Sequence, residues 1–230
     1  MSTEGKGSPE HSIALTFFND FEARTVQAVA ERIIPGGDGD IGATDAGVVY
    51  YIDRAVAGFS PGLQKVYRLG LRALEGFCRL KYAESFVDLD PERQDDAVRV
   101  FLGPEGGAAA AAHKPVGEDD YDFDSSTDNP GHGLSGSRAQ DLDRTLLDRL
   151  FAVVREHAIE GLFCDPVYGG NRNAVGWRLV GFPGVHWGYT EEQMKEGFDG
   201  RTLPIRTLSD LRRGIKELPD NSIFTKTSRV

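Results

Sequence analysis

Asp165, Arg172 and His186 are the residues of this chain that could bring an acid, an anion holder and a base to one place. A carboxylate can exchange a proton or pair with a cation. A guanidinium presents five donors in a rigid fork that fits carboxylate or phosphate. An imidazole titrates near neutral pH. All three fall in or just after "DPVYGGNRNAVGWRLVGFPG", residues 165–184. The companions in this stretch are of a different kind. Gly169 and Gly170 permit left-handed backbone or very close approach. Asn171 and Asn173 tolerate tight turns and can cap a short helix, "AVGWRLVG". Tyr168, Trp177 and Trp187 are large amphipathic surfaces of the sort that anchor interfaces. From the residues alone the stretch reads in four ways. It is an active-site loop, a ligand cradle, a surface shaped to another protein, or a self-packed loop with Trp177 in the core and Arg172 on its own carbonyls. Asp165 is placed to hold Arg172 from across the turn.

No second constellation joins it. "GHGLSG" (131–136) has the form of a dinucleotide fingerprint, but "DSSTDNP" before it is no strand, and the fingerprint needs one. "DDYDFDSSTD" (119–128) alternates carboxylates like the start of a calcium loop. Ser125 stands where the loop needs glycine, and the closing glutamate position falls on Gly131. The five histidines, His11, His113, His132, His157 and His186, form no zinc-spaced pair. His157 lies near the apolar face of its helix and reads as a hydrogen-bonded core residue. No phosphate-binding loop, nucleophile elbow or H-E-x-x-H is present. The expectation is a chain with no catalytic, metal or cofactor residues of its own. Cys78 and Cys164 are the two cysteines. They read as buried thiols, with a single bridge between them as the alternative.

The elements that must carry the stretch are helical. Asn19 and Glu22 have capping-box spacing, and Phe21, Val26, Val29, Ile33 and Ile34 follow at helical intervals until Pro35-Gly36. Thr44 or Asp45 can cap a second helix, "AGVVYYIDRAVAG", that stops at Gly58. Ser60-Pro61 starts a third over about 61–84, with Leu63, Tyr67, Gly70, Leu74 and Phe77 as its stripe. Asp90-Pro91 starts a fourth that reaches Leu102. A fifth runs over about 140–161, with Leu147, Leu150, Phe151, Val154 and Ala158 on one face. A short helix is expected near 190–197, then an extended tail with Pro204, Ser209 and Pro219 as turn and cap signals. No segment alternates with period two. The prediction is an all-α irregular bundle of about five main helices with long loops and an extended C-terminal tail. A flexible leader (1–15) precedes one helical domain (16–230), and 103–138 is an acidic, Gly/Ala-rich excursion from it.

The chain has 230 residues, is 40% hydrophobic and carries a net charge of −10. That balance argues against binding nucleic acid or an anionic membrane, since both ask for a basic face. No apolar run approaches the ~20 residues of a spanning helix. "MSTEGKGSPEHSIAL" has no apolar export core or twin arginine, so the expected compartment is the cytoplasm; the periplasm follows if a signal was removed or sits on a partner.

The stretch "FCDPVYGGNRNAVGWRLVGFPG" also resembles the signature of the small (gamma) subunit family of gluconate 2-dehydrogenase, which carries D-P-x-Y-G-G-N-R, then G-W, then G-F-P-G. "ERIIP" and "AGVVYYIDR" are similar to that family's first two helices, and the resemblance covers roughly 15–100 and 140–190. It implies a small, helical, non-catalytic subunit that clasps a large flavoprotein dehydrogenase of the glucose–methanol–choline type. That partner would hold the FAD and oxidise a sugar, glycoside, polyol or sugar acid. Some complexes of the family add a multihaem cytochrome c subunit. The small subunit helps the large one mature and often carries a twin-arginine signal, which this sequence lacks; the acidic 103–138 segment has no counterpart either. On this resemblance the partner-binding residues are Asp165, Tyr168, Gly169, Gly170, Asn171, Arg172, Trp177, His186 and Trp187. Two alternatives remain: residues reaching directly into a shared active site, and a stand-alone helical interaction module.

Overall fold

The computed structural model describes residues 14–102 and 136–216. The leader up to residue 13, the excursion at 103–135 with both loop motifs, the histidines at 11, 113 and 132, and Pro219 lie outside the described residues. Within them the fold is all-α, with seven helices and no strand: α1 (Asp20–Ile33), α2 (Val48–Ala57), α3 (Gln64–Tyr82), α4 (Pro91–Leu102), α5 (Gly136–Phe163), α6 (Val175–Val180) and α7 (Leu208–Lys216). The first five are the main helices.

α5 is the hub, packing against α1, α2, α3 and α4. Its stripe of Leu147, Leu150, Phe151, Val154 and Ala158 is buried against Val26 and Val29 of α1, Ile52 and Val56 of α2, and Tyr67 and Leu74 of α3. Gly70 lets α3 approach closely, its α-carbon side lying against Leu150. The capping box at α1 forms as its spacing predicts, with Asn19 Oδ1 accepting from the Glu22 N–H and Glu22 reaching back to the Asn19 N–H.

Four expectations are corrected. Phe21 turns outward at 38% exposure, because the buried stripe of α1 runs through Ala23, Val26 and Ala30. Neither Thr44 nor Asp45 caps α2. The Thr44 N–H is taken by Glu31 and the Asp45 carboxylate by the Gly42 N–H, and the helix starts from Gly47 at φ 65°. Residues 191–197 form turns, not a helix. The tail is extended only in part, because 208–216 is α7; its start is set by Thr207 and Asp210, each accepting the other's N–H, and not by Ser209.

Two polar groups shape the interior. Asp53 on α2 is buried, and its carboxylate accepts the N–H groups of Thr16, Phe17 and Phe18 at 2.6, 2.9 and 2.8 Å. This pins the entering strand of backbone over the bundle, where Phe18 packs edge-on to Tyr67 and Arg68 lies 4.2 Å from the Phe17 ring. His157 on α5 is buried as expected, stacked on Tyr67 and bonded through Nδ1 to its hydroxyl at 2.9 Å. Burial lowers its pKa from 6.5 to about 4. A base whose folded pKa lies below its unfolded value stabilises fully above the unfolded pKa, and that stability is lost as pH falls through the folded one. His157 is therefore expected to remove about 3 kcal/mol between pH 6.5 and 4. Urea unfolding across that window checks it, and a His157→Gln chain should show a flatter pH profile.

Cys78 and Cys164 are both free thiols, but only Cys78 is buried as expected and Cys164 is half-buried; desolvation pushes them up to about 12 and about 11. Such thiols are poor nucleophiles near neutral pH.

Candidate functional site

The "DPVYGGNRN" loop begins where α5 ends. The residue before a proline is excluded from the helical region, so Asp165 is extended, and its Oδ1 caps a single 3₁₀ turn (Pro166–Tyr168) through the Val167 N–H at 3.0 Å. Its Oδ2 accepts the Leu208 N–H at 2.8 Å and so ties α7 to the loop. Asp165 therefore does not hold Arg172; both its oxygens serve backbone donors.

The chain next folds back onto α5. Gly169 adopts φ 108° and lies against Arg54 and the Tyr50 carbonyl of α2. Gly170 touches the Gly161 carbonyl so closely that any Cβ would overlap it. Asn171, fully buried with φ 45°, closes the turn three ways. Its N–H donates to Gly161 O at 2.7 Å, its Nδ2 to Cys164 O at 2.8 Å, and its Oδ1 accepts the Gly176 N–H at 2.8 Å. This last bond reaches the first turn of α6, but the N-cap position of that helix is Ala174 and carries no side-chain cap, so the expected capping by Asn171 or Asn173 is corrected. Trp177 is buried beneath, with Nε1 donating to Phe163 O at 2.7 Å and its ring edge-on to Phe182. Paired bonds between Pro183–Val185 and Arg206 close the far side.

The nine residues singled out in the sequence thus divide. Asp165, Gly169, Gly170, Asn171 and Trp177 are buried and build the loop. Tyr168, Arg172 and Trp187 are exposed, Trp187 at 76%. Arg172 bonds Ala46 O with its own N–H and holds its guanidinium 5.6 Å from the Tyr50 ring. His186 is half-buried, with Nε2 3.2 Å from Pro183 O and its ring beside Tyr189.

Residues that sequence reasoning passed over, Leu179, Val180, Phe182, Tyr189 and Met194, are exposed as well. The signal was the apolar run "LVGF", residues 179–182. A six-residue helix that buries Trp177 on one side must aim the next residues away. Isolated exposed apolar side chains are ordinary, but a concentration of this kind marks an interaction surface. Among the described residues no group of three His, Cys, Asp or Glu side chains could hold a metal ion, and no helix is long and apolar enough to cross a membrane. The side chains of Asp165, Asn171 and Trp177 are spent on backbone groups of the loop, α5, α6 and α7. The loop's free face is aromatic, aliphatic and cationic, which suits burial against another surface better than proton transfer.

Comparison with known protein families gives a match to the gluconate 2-dehydrogenase subunit 3 model over residues 20–184. Comparisons with curated proteins and with solved structures gave no match. The matched segment runs from the first residue of α1 to the glycine that closes the loop, so the bundle and the loop are one family unit. The description is that of a subunit, and it implies a multi-subunit complex. The chain belongs to the gluconate 2-dehydrogenase subunit 3 family.

Proposed function

We propose that this chain is an accessory subunit that binds, stabilises and helps mature a flavin-dependent dehydrogenase, with FAD and the oxidation of a sugar, glycoside, polyol or sugar acid on the partner. The observation that carries it is the division within the loop. Asp165, Asn171 and Trp177 rigidify it from inside, while Tyr168, Arg172, Leu179, Phe182 and Trp187 stand outward. A rigid scaffold presenting large exposed side chains binds without a large ordering cost. A cytochrome c subunit would be a further member of such a complex. Asp165 spends both oxygens on N–H groups, which favours this reading over direct participation in substrate chemistry.

Co-expression with the flavoprotein subunit should yield a stable heterodimer whose flavin spectrum belongs to the partner. The isolated chain should show neither flavin absorbance nor turnover; bound FAD or dehydrogenase activity in it alone would overturn the proposal. Trp187→Ala should weaken assembly by roughly 30-fold, as removing a central aromatic anchor does, and leave the chain's own melting temperature within about 2 °C, as surface substitutions do. Calorimetric titration and a thermal melt read the two.

A further inference from the structure

Arg54 and Arg172 bracket Tyr50 on the rim of the loop. Tyr50 and Arg54 stand one turn apart along α2, and Gly47 is its N-cap; the Arg172 guanidinium lies against Gly47 and over the Tyr50 ring, and the Arg54 side chain lies against Gly169. Both arginines are exposed, and Arg54 keeps one bond to the Val167 carbonyl at 3.3 Å. Neither forms an ion pair among the described residues. This is notable in a chain with 36 acidic and 26 basic residues.

The neighbouring carboxylates are committed elsewhere. Asp45 takes the Gly42 N–H, Asp53 takes three N–H groups, Glu160 takes the Tyr51 hydroxyl and Asp165 takes two N–H groups. The fold therefore leaves two like charges near one residue, Tyr50, one of them seated on its ring and both held against backbone. A guanidinium held in this way is preorganised for two-pronged pairing with a carboxylate. We infer that Arg54 and Arg172 receive carboxylate side chains of the partner dehydrogenase subunit, so that an acidic segment of that polypeptide crosses α2 at Tyr50. The inference rests on the subunit reading above and adds the chemistry of the contact. On an acidic chain, a local cationic pair steers the partner's approach and fixes its register.

The test is binding kinetics between this chain and the co-expressed flavoprotein subunit, at about 50 mM and about 500 mM salt, where screening lengths differ several-fold. Arg54→Glu/Arg172→Glu is expected to weaken binding about 100-fold at low salt, mostly through the association rate, with the gap narrowing at high salt. Arg172→Glu alone, which leaves the Arg54–Val167 bond in place, should show part of the same loss. Arg54→Lys/Arg172→Lys should keep the salt dependence and lose affinity through faster dissociation. Equal affinity and equal salt dependence for the reversed and unaltered chains would overturn the inference and leave the subunit reading standing. Unchanged assembly with a raised KM for a sugar-acid substrate would also overturn it, assigning the pair to a small-molecule carboxylate. Failure of the unaltered chain to bind the flavoprotein subunit would remove both.

Discussion

Asp53→Ala is expected to destabilise the protein by about 4 kcal/mol, because leaving a buried donor unsatisfied costs about 1–3 kcal/mol and the carboxylate serves three. The three donors are the N–H groups of Thr16, Phe17 and Phe18, and the Phe18 bond is fully buried. Thr16 and Phe17 lie nearer the surface and can recover water, which is why the sum falls below three full penalties. For a chain of this size each kcal/mol moves the midpoint by about 2–4 °C, so Tm should fall by about 8–16 °C. The loss should spread to contacts that depend on the pinned segment: the Phe18–Tyr67 edge contact and the Arg68 stack on Phe17. Asp53→Asn preserves shape and one acceptor oxygen but offers an NH₂ where the backbone offers N–H, so it should recover less than half the loss. Chemical unfolding of the three chains separates the cases. An alanine variant within about 1 kcal/mol of the original would mean that water replaces the carboxylate as acceptor.

Asp53 also shows where sequence reading stops. In "AGVVYYIDRAVAG" it looks like the polar residue every amphipathic helix tolerates, and its partners lie about 36 residues away in a segment without pattern. What was legible is local: the Asn19–Glu22 capping box, Asp90-Pro91 at the start of α4, and the α5 stripe. Each is a rule about neighbours within one or two turns. Two of the errors share a cause, a competing partner for the group expected to cap. Glu31 and the Gly42 N–H took the groups that would have capped α2, and the Thr207–Asp210 exchange displaced Ser209 from the start of α7.

The loop was legible as a place but not as an arrangement. Its composition marked it, and Asn171 as a turn residue and Trp177 as a core residue were both among the readings. That Asp165 would look to Leu208 instead of Arg172 depends on α7 returning 43 residues later. The outward turn of Leu179 and Val180 depends on α6 lasting only six residues. Neither follows from local pattern. The separation of loop-builders from outward-facing residues is thus a product of the fold, and it sorts eight of the nine candidates into two sets with opposite mutational signatures, with half-buried His186 between them. Builders should lower stability first and binding second. Outward residues should lower binding alone.

Asn171→Ala is the sharpest case of the first signature, with an expected cost of about 4 kcal/mol confined to the loop. Three effects add. The Gly176 N–H loses its buried acceptor, at about 2 kcal/mol, and Cys164 O loses a neutral donor, at about 1 kcal/mol. Alanine must also hold the left-handed conformation at φ 45°, ψ 43°, at about 1–2 kcal/mol. Asn171→Gly removes only the last of these and should recover about 1 kcal/mol. Asn171→Asp keeps the acceptor for Gly176 but sets a carboxylate against the Cys164 carbonyl at a fully buried site, and should be at least as damaging as alanine. The bundle of α1 to α5 has its own core, so helical content should persist while the loop opens. Hydrogen exchange at the Gly176 and Asn171 amides should accelerate by about a thousandfold for 4 kcal/mol of local destabilisation. Trp177 emission should shift to the red as its bond to Phe163 O is lost. Assembly with the flavoprotein subunit should fail in the same variant, because the side chains that face outward are carried by the turn that Asn171 holds. Retained exchange protection and an unshifted Trp177 spectrum in Asn171→Ala would show that the glycine packing against Gly161 suffices to hold the loop without it.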